Sequence, residues 1–119
     1  MLKEFLLVGA GGALGSMARY AGNFIYQSKS FPAVTLSINI IGSFVIGMVM
    51  GWYLKNDNAG NWKLFLATGI CGGFTTFSAF SFENLSLLQN GKVMLSLLYI
   101  VSSVVLGIAA AWLGYKIIQ

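Results

Sequence analysis

The sequence predicts an all-α integral membrane protein of four transmembrane helices, the third of them broken near mid-membrane. Three observations carry that expectation. Of 119 residues, 57% are hydrophobic and only 8% charged, with a mean hydropathy of +0.79, whereas a soluble domain carries about 25% charged residues. Four apolar stretches, at residues 5–26, 33–54, 63–85 and 93–118, each approach the roughly 20 residues needed to cross a bilayer core. The third is interrupted by Gly72-Gly73 and Thr75-Thr76.

The first stretch is too long and too glycine-rich for the core of a signal peptide and lacks a clean small-residue cleavage site, so it reads as a retained helix. Gln27 to Pro32 separates it from the second, with Pro32 suited to the first turn of the next helix. Lys55 to Asn61 and Gln89 to Lys92 form the other two breaks. No linker is long enough to divide the chain, so residues 1–119 read as a single four-helix membrane domain.

With four spans, both termini share a side with the second loop. That side collects Lys3, Lys55, Lys63 and Lys116, while the other holds Lys29 and Lys92, and Arg19 lies inside the first span. Such a small difference is a weak orienting signal under the positive-inside rule. It permits insertion both ways, and it equally suits a protein with cytoplasmic termini and few charges.

Small residues recur at helix-packing spacing. Gly11 and Gly15, Gly47 and Gly51, and Gly69 and Gly73 are four apart, a pattern that lets helix backbones approach closely in lipid. Polar residues form lines as well: Ser16, Arg19, Tyr20, Asn23 and Gln27; then Thr35, Asn39 and Ser43; then Ser96, Tyr99 and Ser103. Polar groups in hydrocarbon are costly and normally face protein or water. Three striped helices point to a hydrated or ion-conducting path as readily as to interhelical hydrogen bonding. These side chains are mostly neutral donors, which hold an anion without trapping it. Arg19 is the only fixed positive charge well inside a span; it either raises anion concentration at a vestibule, or snorkels, or pairs with Glu4 or Glu83.

In the third stretch, paired glycines and paired β-branched threonines favour a local loss of helix. Non-helical backbone at that depth is tolerated only inside protein or lining a cavity. There, unwound carbonyls suit a cation and half-helix N-termini suit an anion. Phe77 and Phe80 follow three apart, with Glu83 continuing their face. Such aromatic pairs commonly meet lipid or core. Their ring edges carry partial positive charge, however, and could replace water stripped from a small anion.

Other chemistries lack their parts. The chain has one cysteine, Cys71, and no histidine, which excludes an internal disulfide and a Cys/His zinc cluster. The carboxylates Glu4, Asp57 and Glu83 are far apart in sequence and no nucleophile–base pair is evident, so no enzyme is expected. Gly9 to Gly15 imitates a dinucleotide-binding run but has no βαβ context and no acidic residue about 20 positions on. The basic residues are scattered singly rather than patched, which excludes nucleic acid as a partner.

The blocks Gly11-Gly12-Ala13-Leu14-Gly15 through Arg19-Tyr20, Asn39-Ile40-Ile41-Gly42-Ser43-Phe44, and Gly72-Gly73-Phe74-Thr75-Thr76-Phe77-Ser78 resemble the CrcB/Fluc family of fluoride channels, in order and over essentially the whole chain. The resemblance implies an antiparallel, dual-topology homodimer with two fluoride pathways in the cell inner (plasma) membrane. It also implies a structural Na⁺ at the dimer centre, held by backbone carbonyls of Gly72 and Thr75 from each subunit. By motif position it places Phe77, Phe80, Asn39, Ser78, Tyr99, Ser103 and Ser43 along the fluoride pathway, Arg19 at a vestibule and Glu83 near a pore end. Ala79 and Gly107 depart from it, since the family often carries hydroxyl residues there. Both thin the expected polar track.

The implied activity is passive fluoride efflux from the cytoplasm down the electrochemical gradient. The competing reading is a small proton-coupled multidrug exporter of four-helix, dual-topology type. That chemistry needs a carboxylate in mid-membrane, where this sequence has none: Glu4 sits at a boundary and Glu83 near a helix end.

Overall fold

A computed structural model describes residues 1–25 and 32–119. Tyr26, Gln27, Lys29 and the rest of the first predicted loop up to Phe31 lie outside the described residues. Helix α1 spans Leu2–Ile25 and α2 spans Ala33–Lys55. The third segment is composite. Helix α3 (Gly60–Lys63) runs into a π-helical stretch, Leu64–Cys71, and then a short α4 (Gly72–Phe74). After Thr75 and Thr76 the chain resumes as α5 (Phe77–Gln89), and α6 (Val93–Ile118) closes the fold. Among the described residues there is no strand.

Three segments, Ala33–Lys55, Gly60–Gln89 and Val93–Ile118, are both long and apolar enough to cross a membrane. Helix α1 carries Lys3, Glu4 and Arg19 and is more polar, yet its 24 residues reach about 36 Å at 1.5 Å each. It packs against the π-helical stretch and α4, so it runs beside a spanning segment. The chain is a multi-pass membrane protein.

Backbone-to-backbone packing of glycines assembles the bundle in two pairs. The Cα of Gly69 stands so close to Gly11 that a Cβ on Gly11 would lie 2.9 Å from it. A Cβ on Gly73 would collide with the carbonyl of Gly12 in the same way. On the other side, Gly47 faces the carbonyl of Ala111, and Gly114 that of Phe44, joining α2 to α6. All three glycine pairs of the sequence pattern are thus used within one chain. The dinucleotide-like run is a packing surface.

Loop ends follow local rules. Gly91 adopts φ 75°, and the amides of Lys92 and Gly91 donate to the carbonyls of Leu87 and Leu88, two hydrogen bonds that close α5 with glycine at the left-handed position. At the opposite end Lys55 Nζ donates to the carbonyls of Ile118 and Gln119 at 2.7 and 3.1 Å, tying α2 to α6. Val101, Val104, Val105 and Ile108 are each more than half exposed, forming an outward apolar face on α6. Such a surface would be untenable in water, and a bilayer accommodates it without penalty.

Candidate functional site

The site is built around the break. Thr75 and Thr76 are both extended, at φ −82°, ψ 155° and φ −149°, ψ 121°, a conformation that β-branched residues favour. The preceding glycines, expected to share the unwinding, remain helical as the start of α4. The break is therefore two residues long and belongs to the threonines. The stretch before it is π-helical, with the Gly72 amide donating to the carbonyl of Ala67 five residues back. Wide turns of this kind concentrate at functional positions.

Opening a helix orphans backbone groups, and here some of them find partners. The carbonyl of Cys71 accepts from the Thr75 amide at 2.9 Å and from its hydroxyl at 2.8 Å. The carbonyl of Gly73 accepts from Arg19 Nε at 3.2 Å. Arg19 thus caps a half-helix C-terminus, where positive charge is favoured. It makes neither of the expected ion pairs: Glu4 lies 3.0 Å from the Met1 ammonium, and Glu83 is engaged elsewhere. Thr76 Oγ1 caps α5 by accepting from the Ala79 amide at 3.2 Å, and it lies 3.2 Å from Ser78 Oγ.

Asn39 on α2 clamps the break. Its Oδ1 accepts from the Thr76 amide at 3.0 Å, and its Nδ2 donates to the Thr76 carbonyl at 3.3 Å. Three of the carbonyls freed by the break, those of Gly72, Phe74 and Thr75, accept no hydrogen bond among the described residues. The amide that would serve Gly72 in a continuous helix is that of Thr76, which goes to Asn39. The amide that would serve Thr75 is that of Ala79, which goes to the Thr76 hydroxyl. The carbonyls that the motif assigns to a cation, those of Gly72 and Thr75, are thus two of the three deprived of helical donors, that of Phe74 being the other.

Beside the break lies a cavity of about 450 Å³ between α2, the third segment and α6. Of the residues singled out in the sequence, Asn39, Ser43, Gly72, Thr75, Phe77, Phe80 and Ser103 all border it, whereas Ser78, Tyr99, Arg19 and Glu83 stand outside its lining. None of its lining side chains is charged. Phe77 stands 78% exposed at this border, its ring 5.7 Å from that of Phe80. Phe80 in turn meets Tyr99 edge-on at 4.9 Å. Burial sorts the polar lines: Thr35, Ser96 and Tyr99 are buried, Asn39, Ser43 and Ser103 half-buried, while Ser16, Tyr20 and Asn23 on α1 are more open.

Next to the cavity, Glu83 gathers two hydroxyls. Thr35 Oγ1 donates to Oε2 at 2.8 Å and Tyr99 OH to Oε1 at 2.7 Å. Tyr99 is wholly buried, so the carboxylate sits where α2, α5 and α6 meet. One residue on, Asn84 Oδ1 accepts from buried Ser96 Oγ at 2.8 Å, and Asn84 Nδ2 donates to the carbonyl of Phe80 at 2.9 Å. No stripe in the sequence marks Asn84, because its partner lies on another helix. Ser96→Ala would leave the Asn84 carbonyl oxygen buried and unpaired, at a cost of about 1–3 kcal/mol. A corresponding fall in the detergent-solubilised melting temperature is expected, and an unchanged melt would show that the bond contributes nothing.

The family model described as CrcB-like protein, Camphor Resistance (CrcB), matches residues 6–115. A protein of Thermus thermophilus named fluoride-specific ion channel FluC is 45% identical, over 98% of this chain and 95% of the relative. Proteins of the same name from Flavobacterium psychrophilum and Gloeothece citriformis are 44% and 45% identical, over 95% and 98% of this chain and 94% and 97% of their own length. With near-complete coverage on both sides and a family match that takes in the whole broken segment, this chain belongs to the CrcB-like family.

Proposed function

We propose that the chain is one subunit of a passive fluoride channel, not an enzyme, which lets F⁻ leave the cytoplasm down its electrochemical gradient. The observation that carries the reading is a cavity lined by neutral donors and two phenylalanines beside an unwound stretch of a membrane-spanning segment. The names of the relatives point the same way. A small anion gives up hydration only to donors that replace it, and it leaves again only if no fixed charge traps it. Ser43, Asn39 and Ser103 supply donors within the cavity, Ser78 outside its lining adds one beside Thr76, and the Phe77 and Phe80 ring edges add weak positive potential. Tyr99 holds Phe80 and Glu83 in place at one end. Arg19, with guanidinium nitrogens beyond the one spent on Gly73, adds positive potential near the break.

An open path suffices biologically. Neutral HF crosses membranes while F⁻ does not, so acid outside loads the cytoplasm with fluoride that only a conductor releases. The multidrug-exporter alternative is disfavoured by the absence of any carboxylate from the cavity lining and by the two hydroxyls already bound to Glu83.

The four-helix unit is expected to act as an antiparallel homodimer in the inner membrane, its two copies inserted in opposite orientations to make two pores. The few basic residues support either insertion. The Gly72 and Thr75 carbonyls, short of helical donors, fit a hard cation such as Na⁺, four oxygens coming from two copies. Among the described residues no cluster of His, Cys, Asp or Glu could hold a metal, so backbone oxygen is the ligand type on offer. Bound there, the ion would neutralise carbonyl dipoles and join the subunits.

Fluoride release from liposomes, started by valinomycin with no pH gradient, tests the activity. Release of fluoride with little chloride is expected. Phe80→Ile should slow it by about tenfold or more, as loss of one or two kcal/mol of anion stabilisation requires. A chain that releases no fluoride is not a channel, and one indifferent to Phe80→Ile does not use this aromatic pair.

A further inference from the structure

Several hydroxyls of α2 and the third segment are already engaged. Thr35 donates to Glu83, Thr75 to the carbonyl of Cys71, and Thr76 caps α5. Thr68 is different. It lies in the π-helical stretch, borders the 450 Å³ cavity and makes no hydrogen bond among the described residues. A helical threonine ordinarily donates back to the carbonyl four residues earlier, as Thr75 does. Thr68 does not, so its O–H remains available.

Two more hydroxyls share that condition. Ser43 on α2 and Ser103 on α6 border the same cavity, and Ser103 Oγ is shielded from solvent with no partner. Three donors from three elements, all unspent, converge on one space. Polar atoms are rarely buried unpaired, so Ser103 Oγ calls for a ligand or water, while half-buried Ser43 and exposed Thr68 offer their hydroxyls to the same open space. The rest of the wall carries the Asn39 amide, the Cys71 thiol, the already engaged hydroxyls of Thr75 and Thr76, and apolar groups, with no cation to neutralise charge permanently. Position 107, where a Cβ would come 3.7 Å from Ser43 Oγ, brings no hydroxyl of its own.

We propose that Thr68, with Ser43 and Ser103, forms an anion station in this cavity, and that Thr68 supplies the donor that Gly107 lacks. The inference rests on the fluoride-channel reading and assigns that reading a residue on the third segment ahead of the break. The ligand is a small, strongly hydrated anion, which three hydroxyls satisfy without requiring a compensating charge.

Liposome efflux of fluoride by purified Thr68→Val, Thr68→Ala and Thr68→Ser proteins tests it, with melting temperatures measured in parallel. Valine keeps the shape and removes the donor, so efflux should fall about tenfold, the worth of one hydrogen bond to an ion. Alanine, which cannot overpack the site, should fall likewise, and serine should stay within about twofold of the parent because it keeps the donor. If valine and alanine conduct like the parent, the station does not exist, although the channel does. If serine is as slow as valine, the methyl group and not the hydroxyl matters, and the station is equally overturned. A parent protein with no efflux removes the channel reading first and this inference with it.

Discussion

Asn39→Leu is expected to reduce fluoride efflux by at least about a hundredfold while the four helices remain inserted. Leucine has the same branching as asparagine, but it offers nothing to the Thr76 amide and carbonyl that Asn39 now serves. Losing both bonds in a low-dielectric interior costs about 1–3 kcal/mol each. The Thr75–Thr76 stretch can then recover part of that loss by returning to helix, with the Thr76 amide bonding back to Gly72. A re-formed helix would shift Phe77 and Phe80 around its axis and withdraw the Gly72 carbonyl from its proposed cation. Asn39→Asp is predicted to be nearly as harmful, because the carboxylate still accepts from the amide but repels the carbonyl. Efflux near the parent rate in Asn39→Leu would show that the break is held by its own torsions and not by α2.

Gly15→Val is expected to have the largest effect on folding. A Cβ at position 15 would run into the Ile70 carbonyl and lie 2.8 Å from the Phe74 amide nitrogen, so the obstacle is backbone and cannot rotate away. Overpacking of this kind costs about 1–3 kcal/mol where neighbours can adjust, and rigid backbone puts this site at or above that range. The α1 contact also positions Arg19, one turn further on, against Gly73. Conduction should therefore disappear with stability. Gly9→Ala is the control. Nothing lies within 4 Å of a Cβ there, and alanine is the better helix former by about 1 kcal/mol, so its melting temperature should hold or rise. If both variants melt alike, glycine contacts do not hold α1 in place.

Much of the site is legible in the sequence because its residues announce themselves locally. Paired β-branched residues beside paired glycines in an apolar span mark a break without any knowledge of neighbours, and Thr35, Asn39 and Ser43 share a face by helical geometry alone. The partners are not legible. Arg19 has three plausible destinations in the sequence, and the structure shows a fourth, the carbonyl of Gly73. Gly72 and Gly73 carry the same signal for unwinding as the threonines, yet they stay helical. A Cβ-free surface there is required by α1, which sits against Gly73. The π-helical stretch leaves no sequence signal of its own, and it lies along α1 in the packed bundle.

Composition and periodicity by themselves determined that this chain lives in lipid, how many times it crosses, and where its third segment must give way. Each of those follows from transfer free energies and backbone preferences that act residue by residue. Only the tertiary structure decided which two residues open, which carbonyls lose their donors, and which hydroxyls remain unspent around the cavity. These are questions of partnership between helices far apart in sequence, such as Asn39 with Thr76 and Glu83 with Thr35 and Tyr99. A hydrogen bond is satisfied or denied by geometry that exists only once the helices have packed.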